Sequence, residues 1–371
     1  MENRLFEPGL NCWRSVVSAR SAFLVDGEAY FRALHDALAR ATHQVVVLGW
    51  DMHSQVRLVR GETAKSVAGI TLEQRLHDVL DDSPDLHVYL LNWDYSAVFL
   101  LEREWLPDFS LPWSRHPRLR FETDDELPTG ASHHQKVVVI DDAIAFSGGL
   151  DLTHARWDTP EHRRHHPERV MPGGEAYGPF HDIQAIVAGD AAASLGDLAR
   201  ERWKRATGEL LPAPPALSWQ DRWPARIEPS YEDARVAIAR TSAPYGGSAA
   251  AAEILHGYLD QIRSAQTYLY FENQYLTSDQ ITVALCERLT EKEGPEIVIV
   301  LPREASGWLE EATMGEGRDR SAARLRAADE NGRLRLLCPV TREKPTTGIN
   351  VHAKLLITDD RWIRVGSANL S

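Results

Sequence analysis

Two short stretches of this 371-residue chain carry the same set of reactive side chains. The first holds His134, Lys136 and Asp141, the second His352, Lys354 and Asp359, so both read HxKxxxxD. Fourteen residues after each histidine stands a glycine, Gly148 in SGGLD and Gly366 in GSAN. The chain has only six lysines, and two of them lie in these stretches. On an extended strand, residues two apart share a face. Each histidine is therefore presented beside an ammonium group, while the aspartate points the other way and serves structure. The glycines permit a tight turn whose backbone can approach a ligand closely. Such a set suits a phosphodiester. Attack at phosphorus builds charge on the equatorial oxygens, which fixed cations and amide donors offset. One histidine can act as nucleophile and the other as proton donor. A covalent phospho-histidine splits one hard displacement into two easier ones. With lysine supplying the cations, neither a metal nor another cofactor is expected.

The elements that must position these groups recur in the same order. Glu28 to His43 has helical periodicity and leads into a β-branched run, Gln44 to Asp51. A helix over Glu73 to Leu80, a strand over Leu86 to Asp94, a strand from Arg118 and the run His133 to Asp142 follow. The second half repeats this plan. It has a helix over Ala250 to Gln266, strands at Thr267 to Tyr275, Glu296 and Arg333, helices from Ile281 and around Ala322 to Asn331, and the run Val351 to Asp360. Asp51 precedes His134 by 83 positions, and Glu272 precedes His352 by 80. Matching order, spacing and terminal motif predict an internal duplication. The expected fold class is α/β, with two pseudo-twofold-related halves and the active site at their interface. The expected division is an N-terminal half at 1–210, a Pro-rich connection at 211–230 and a C-terminal half at 231–371.

Composition narrows the function classes. A formal charge of −13 opposes non-specific nucleic-acid binding, which depends on phosphate neutralisation. No run of 18 apolar residues marks a transmembrane segment. The first residues lack a signal-peptide pattern, so the expected location is cytoplasmic, or peripheral to the inner face of the membrane. Three scattered cysteines, Cys12, Cys286 and Cys338, offer neither a disulfide framework nor a CxxC metal site.

HQKVVVID and HAKLLITD, with GGLD and GSAN, resemble the paired HKD motifs of the phospholipase D superfamily. Around them GGLDLTHARWD (Gly148 to Asp158), PFHDIQAIVAGDAA (Pro179 to Ala192), Arg202–Trp203 and FENQYL (Phe271 to Leu276) are similar to the phospholipid-cleaving branch. The resemblance implies a phosphodiesterase or phosphatidyltransferase acting on the distal phosphodiester of glycerophospholipids at a membrane surface, with water or an alcohol as acceptor. It makes His134 the nucleophile and His352 the general acid and later base. Lys136, Lys354 and Asn369 would hold phosphoryl oxygens with Ser367 nearby, and Asp182 would orient His352. Asp151 stands where the second motif has Asn369, and Glu272 in FENQY is either a site-wall residue or a plain strand-end carboxylate. The acidic partner that the family gives the first histidine would lie beyond Ser371. The 371 residues are thus expected to be a fragment in which the orientation of His134 is unfixed.

Further features have plainer readings. His133 is a neighbour on the wrong face, and HRRHHPER (His162 to Arg169) is a solvated loop before it is a metal or headgroup site. Trp93, Tyr95 and Trp105 are core aromatics before they are an acyl groove. The competing functions are a nuclease of the same superfamily, against which the charge weighs, and a decayed lipid-binding module, against which the two intact motifs weigh.

Overall fold

The repeated order of helices and strands emerges as two sheets built on one plan. The computed structural model describes residues 5–61, 71–94, 116–128, 131–247, 249–303 and 308–371, with the side chains of 308–314 left aside. Tyr95 and Trp105 lie outside the described residues. The strands, in chain order, are β1 Arg14–Val25, β2 Gln44–Gly49, β3 His87–Trp93, β4 Leu119–Asp124, β5 Val137–Ile140, β6 Ile144–Gly148, β7 Phe180–His181, β8 Ile183–Ala188 and β9 Tyr231–Ile238. They continue as β10 Thr241–Ser242, β11 Ala251–Ala252, β12 Tyr268–Glu272, β13 Glu296–Val300, β14 Leu334–Leu337, β15 Asn350–Val351, β16 Leu355–Thr358 and β17 Trp362–Val365. The helices are α1 Asp26–Leu38, α2 Leu72–Asp82, α3 Asp190–Thr207, α4 Glu253–Ser264, α5 Asp279–Thr290 and α6 Trp308–Ala328.

The first sheet runs β4-β3-β2-β5-β6-β8-β1-β9 and the second β14-β13-β12-β16-β17. In both, three parallel strands are followed by an antiparallel hairpin: β4, β3, β2 then β5–β6, and β14, β13, β12 then β16–β17. Both hairpins turn on an Asp-Asp pair with positive φ, Asp141 and Asp142 at 55° and 52°, Asp359 and Asp360 at 52° and 53°. A two-residue turn of this hand matches the right-handed twist of its strands. The sequence carries the duplication down to this turn.

Each half has its own apolar core. The α1 face Tyr30, Phe31, Leu34, Ala37 and Leu38, spaced at helical period, packs on Val45, Val47, Ile140 and Phe146. In the second half Tyr258 and Ile262 of α4 pack with Leu269, Phe271, Ile297 and Leu356. A smaller cluster, Ile183, Val351, Ala353 and Leu355, joins the two sheets. There β7 and β15 pair in parallel, Phe180 beside Asn350 and His181 beside Val351, and the His352 N–H donates to the His181 carbonyl at 2.8 Å.

Two expectations about the middle of the chain need correction. β9 lies inside the expected second half, yet it pairs antiparallel with β1 as the edge of the first sheet. The chain leaves that sheet only after Ile238, through the β10–β11 pair. The Pro-rich stretch is also no free connection. Trp223 is buried in the first core, and Arg222 reaches Asp141 at 3.1 Å. The prolines prevent regular structure there, but the aromatic and guanidinium groups tie the segment down.

Candidate active site

His134 and Lys136 lie in extended chain immediately before β5, and His352 and Lys354 hold the same place before β16. The strand cores Val137–Ile140 and Leu355–Thr358 are buried and fix where these leaders emerge. Both lysines fold back on their own motif. Lys136 Nζ donates to the His134 carbonyl at 3.3 Å, and Lys354 Nζ donates to the His352 carbonyl. His134, Lys136 and His352 border one cleft of about 2230 Å³, together with Asp151, Ser367 and Asn369, while Lys354 is fully buried behind it, against the His352 carbonyl. The expected convergence of the two motifs at one site is present.

Each histidine is held by the opposite half. His352 Nδ1 meets Asp182 Oδ2 at 2.7 Å. Asp182 is fully buried, and its other oxygen accepts the Ile183 N–H at 2.8 Å. His134 Nδ1 meets the Ser367 carbonyl at 2.8 Å. The expectation that His134 lacks an orienting partner within the chain is therefore corrected. The partner is a backbone oxygen, which no side-chain pattern announces. A carbonyl only accepts, so His134 carries its proton on Nδ1 and presents a lone pair at Nε2.

Burial and charge set the protonation of the site. Burial first, then Lys136 and Lys354, hold His134 well below the usual imidazole range. Burial, Lys354 and Arg156 do the same to His352. Burial lowers Lys354 from 10.5 to about 7, although Asp182 works against this, and burial pushes Asp182 up to about 7. Lys136 is lowered less simply, because burial acts against a direct ion pair with Asp151 at 2.9 Å. Lys354 instead donates to Gln274 Oε1 at 3.2 Å. The two lysines are thus unequal: one is neutralised by a carboxylate, the other faces an amide.

Several expected site residues take other work. Asp151 Oδ2 is occupied by Lys136, and its Oδ1 accepts N–H groups of Trp50 and Asp51 at 3.0 and 3.2 Å. It holds Lys136 and has no oxygen left for substrate. Asp141 and Asp359 stand at the far ends of β5 and β16, seven residues of extended chain or on the order of 20 Å from their histidines. Asp141 accepts the N–H groups of Thr42, His43 and Gln44, and Asp359 those of Gln266, Thr267 and Tyr268. Both anchor the start of a neighbouring strand, as their opposite face predicts, and neither reaches the cleft. Glu272 is turned away as well, with Oε1 accepting from Tyr270 and Oε2 against His181 Nε2 at 2.9 Å. His133 lies against Asp124 at 3.4 Å.

HRRHHPER is not simply a solvated loop. Arg169 is buried with Nη1 donating to both oxygens of Asp158, and His162 sits between Asp158 and Asp26 at 3.1 and 3.4 Å. Three groups far apart in sequence, Asp26, His162 and His181, come within ligand distance of one another. Spacing rules cannot find such a set. Arg156 and Trp50 were also missed. Arg156 borders the cleft, lies over the Phe180 ring at 5.1 Å and depresses both histidines. Trp50 stacks on Trp93 at 5.8 Å and receives the Lys136 ammonium over its face at 5.6 Å. Trp93 is thus both buried and part of the cleft wall. Arg156 sits in the GGLDLTHARWD segment, so the resemblance was the one signal that pointed to it.

Comparison with known proteins agrees with this arrangement. A family model described as Phospholipase D matches residues 122–286, and one described as Cardiolipin synthase, PLD-like domain, matches residues 258–371. Among curated relatives, phospholipase D A of Dictyostelium discoideum is 25% identical over 94% of this chain and 31% of its own length. Phospholipase D alpha 1 of Ricinus communis is 23% identical over 91% of this chain and 57% of its own. The chain therefore spans less than two thirds of these relatives. A solved phosphatidylserine synthase from Haemophilus influenzae superposes with a TM-score of 0.57 at 14% identity, covering 98% of this chain and 81% of that one, which is a likeness of fold.

Proposed function

Because the chain belongs to the phospholipase D superfamily, we propose that it cleaves the distal phosphodiester of glycerophospholipids through a phospho-histidine and passes the phosphatidyl group to water or an alcohol. The observation that carries this reading is the pair of histidines, each fixed at Nδ1 by the opposite half and each beside a buried lysine in one cleft.

The tautomers suit a division of labour. His134, protonated at Nδ1 by its contact with the Ser367 carbonyl, offers Nε2 to the phosphorus. His352 backed by the Asp182 carboxylate can hold a second proton and give it from Nε2 to the leaving headgroup oxygen. The phosphorus–oxygen bond to the headgroup breaks as the bond to His134 forms. In the second step His352 takes a proton from water or alcohol, whose oxygen attacks phosphorus and releases His134. Both histidines are held neutral before substrate binds, first by burial and then by the nearby Lys136, Lys354 and Arg156. An arriving phosphodiester anion offsets those cations and lets His352 charge. The same cations stabilise the equatorial oxygens, so no metal acts on the phosphoryl group. The substrate is taken from a membrane surface on the cytoplasmic side. Among the described residues no helix is long and apolar enough to cross a membrane.

The test is release of choline, ethanolamine, serine or glycerol from defined vesicles, with linear DNA as competitor. Wild-type protein should release headgroup, His134→Ala should not, and a rapid quench with labelled phospholipid should trap phosphate on His134. DNA cleavage without headgroup release would replace this reading by a nuclease. Label on His352 alone would reverse the roles.

A further inference from the structure

Behind the β7–β15 pair lies a second cluster that the reaction does not use. Its centre is Asp26, buried to 1% exposure, with φ of 66° at the start of α1. Asp26 Oδ1 faces His181 Nδ1 at 2.8 Å, and Oδ2 faces His162 Nε2 at 3.4 Å. Oδ2 is buried and has no hydrogen-bond partner. One donor atom from each of the three residues lies within 4.8 Å of the others.

The geometry points to a structural binding site for one divalent cation of the zinc class, held by Asp26, His162 and His181. Two imidazoles and one carboxylate are a borderline-soft donor set, and zinc takes such ligands at about 2.0–2.2 Å in a tetrahedron. Ligand atoms of that tetrahedron lie on the order of 3.3 Å apart. The 3.4 Å gap between Asp26 Oδ2 and His162 Nε2 has this size. The second observation is what stands behind each ring. His162 Nδ1 is held by Asp158 Oδ2 at 3.1 Å, and His181 Nε2 by Glu272 Oε2 at 2.9 Å. Metal-binding imidazoles are held in this way, the far nitrogen donating to a carboxylate that fixes tautomer and ring angle. Those carboxylates are fixed in turn, Asp158 by Arg169 and the Phe180 N–H, Glu272 by the Tyr270 hydroxyl. Three carboxylates, Asp26, Asp158 and Glu272, converge here against the one guanidinium of Arg169. A bound cation would take the place of the proton on His181, which burial opposes but the Asp26 and Glu272 hydrogen bonds hold, raising its pKa to about 10. The rings of His162 and His181 are 13% and 19% exposed at their side chains, leaving an entry and a fourth position for water.

The site would brace the reaction centre from outside. The His181 carbonyl accepts the His352 N–H, and Asp26 Oδ1 accepts the Asp182 N–H at 3.3 Å. A cation here would fix β7 and, through it, the paired β15, the two segments that lead into Asp182 and His352.

The test uses the full chain, stripped with a chelator and titrated with Zn²⁺ alone, and with Co²⁺ as a spectroscopic probe. One equivalent should bind, the Co²⁺ spectrum should be that of a four-coordinate site, and the thermal midpoint should rise with metal concentration. His162→Gln should weaken affinity at least about a hundredfold, and Glu272→Gln, which removes only the brace behind His181, by roughly tenfold. His165→Gln, in the same loop, should bind as wild type. Circular dichroism of each stripped variant separates lost binding from lost fold. If His162→Gln fails to fold, the Glu272→Gln and wild-type titrations decide. No uptake by wild type at tens of micromolar Zn²⁺, or equal uptake by wild type and both variants, overturns the site. Headgroup release is not a readout, so failure of the proposed reaction leaves this test intact.

Discussion

A methyl group placed on Gly149 would meet the Asp182 carboxylate head on. The added Cβ would stand 2.1 Å from Oδ1 and 2.6 Å from Oδ2. Ordinary contact needs about 3.5 Å, so the carboxylate would have to retreat by more than about 1 Å. Asp182 is wholly buried, with one oxygen on the Ile183 N–H and the other on His352, so no open space receives it. A retreat of that size stretches the 2.7 Å bond to His352 past the hydrogen-bonding range. Misplacing a reacting group by about 1 Å costs on the order of a hundredfold in rate, and overpacking costs about 1–3 kcal/mol of stability. Gly149→Ala should therefore stay folded, lose about a hundredfold in kcat on a soluble short-chain phospholipid, and keep KM within roughly threefold. Asp182→Asn should show a similar fall in kcat without the overpacking. Gly178→Ala, where an added Cβ meets nothing within 4 Å, should behave as wild type. A folded Gly149→Ala protein with kcat within threefold of wild type would refute the orienting role of Asp182.

Activity and stability should part company above neutral pH. Lys354 is lowered to about 7 in the fold and returns to 10.5 when unfolded. Between those values the unfolded chain holds a proton that the folded chain does not, so this group makes stability rise with pH there. It also makes kcat/KM fall above about 7, and Lys354→Met should be inactive yet at least as stable as wild type at pH 7. Urea midpoints and pH profiles check both signs. Asp141→Ala should cost about 3 kcal/mol or more, because three N–H groups and Arg222 lose their acceptor, while the folded fraction keeps kcat within a few-fold. A hundredfold fall in kcat with unchanged stability would return Asp141 to the reaction. Ethanol or glycerol should divert product from phosphatidic acid to phosphatidyl-alcohol, and phosphatidic acid alone at every alcohol concentration would mean a water-only second step.

The histidines and lysines were legible because their chemistry is rare and occurs twice at one spacing. The strands behind them were legible because β-branched runs buried on both faces leave a continuous apolar signature, as in Val45 to Leu48 and Val137 to Ile140. What the sequence hid depends on backbone atoms and distant partners. The Ser367 carbonyl that meets His134 has no side-chain identity, and Asp26 is 136 positions from His162. The sheet that β9 joins is not legible in the sequence, because an edge strand with one exposed face carries no mark of its partner. For Glu272 the sequence leaves a site-wall role and a strand-end role open, and the structure shows the second. Glu272 is the last residue of β12, where His181 and Tyr270 take its two oxygens, and only beyond the strand end does Gln274 reach Lys354.

The exchange of orienting groups between the halves has a consequence for how such a site could diversify. Two separate, identical halves related by a twofold axis would have to place the same group behind both imidazoles. Joined in one chain, the halves are free to differ, and here they do: a carbonyl stands behind His134 and a carboxylate behind His352. The first can only receive a proton's hydrogen bond, whereas the second can share the proton itself. Fusion thus breaks a chemical symmetry that the fold retains. It gives two copies of one imidazole different basicities through what lies one hydrogen bond behind them.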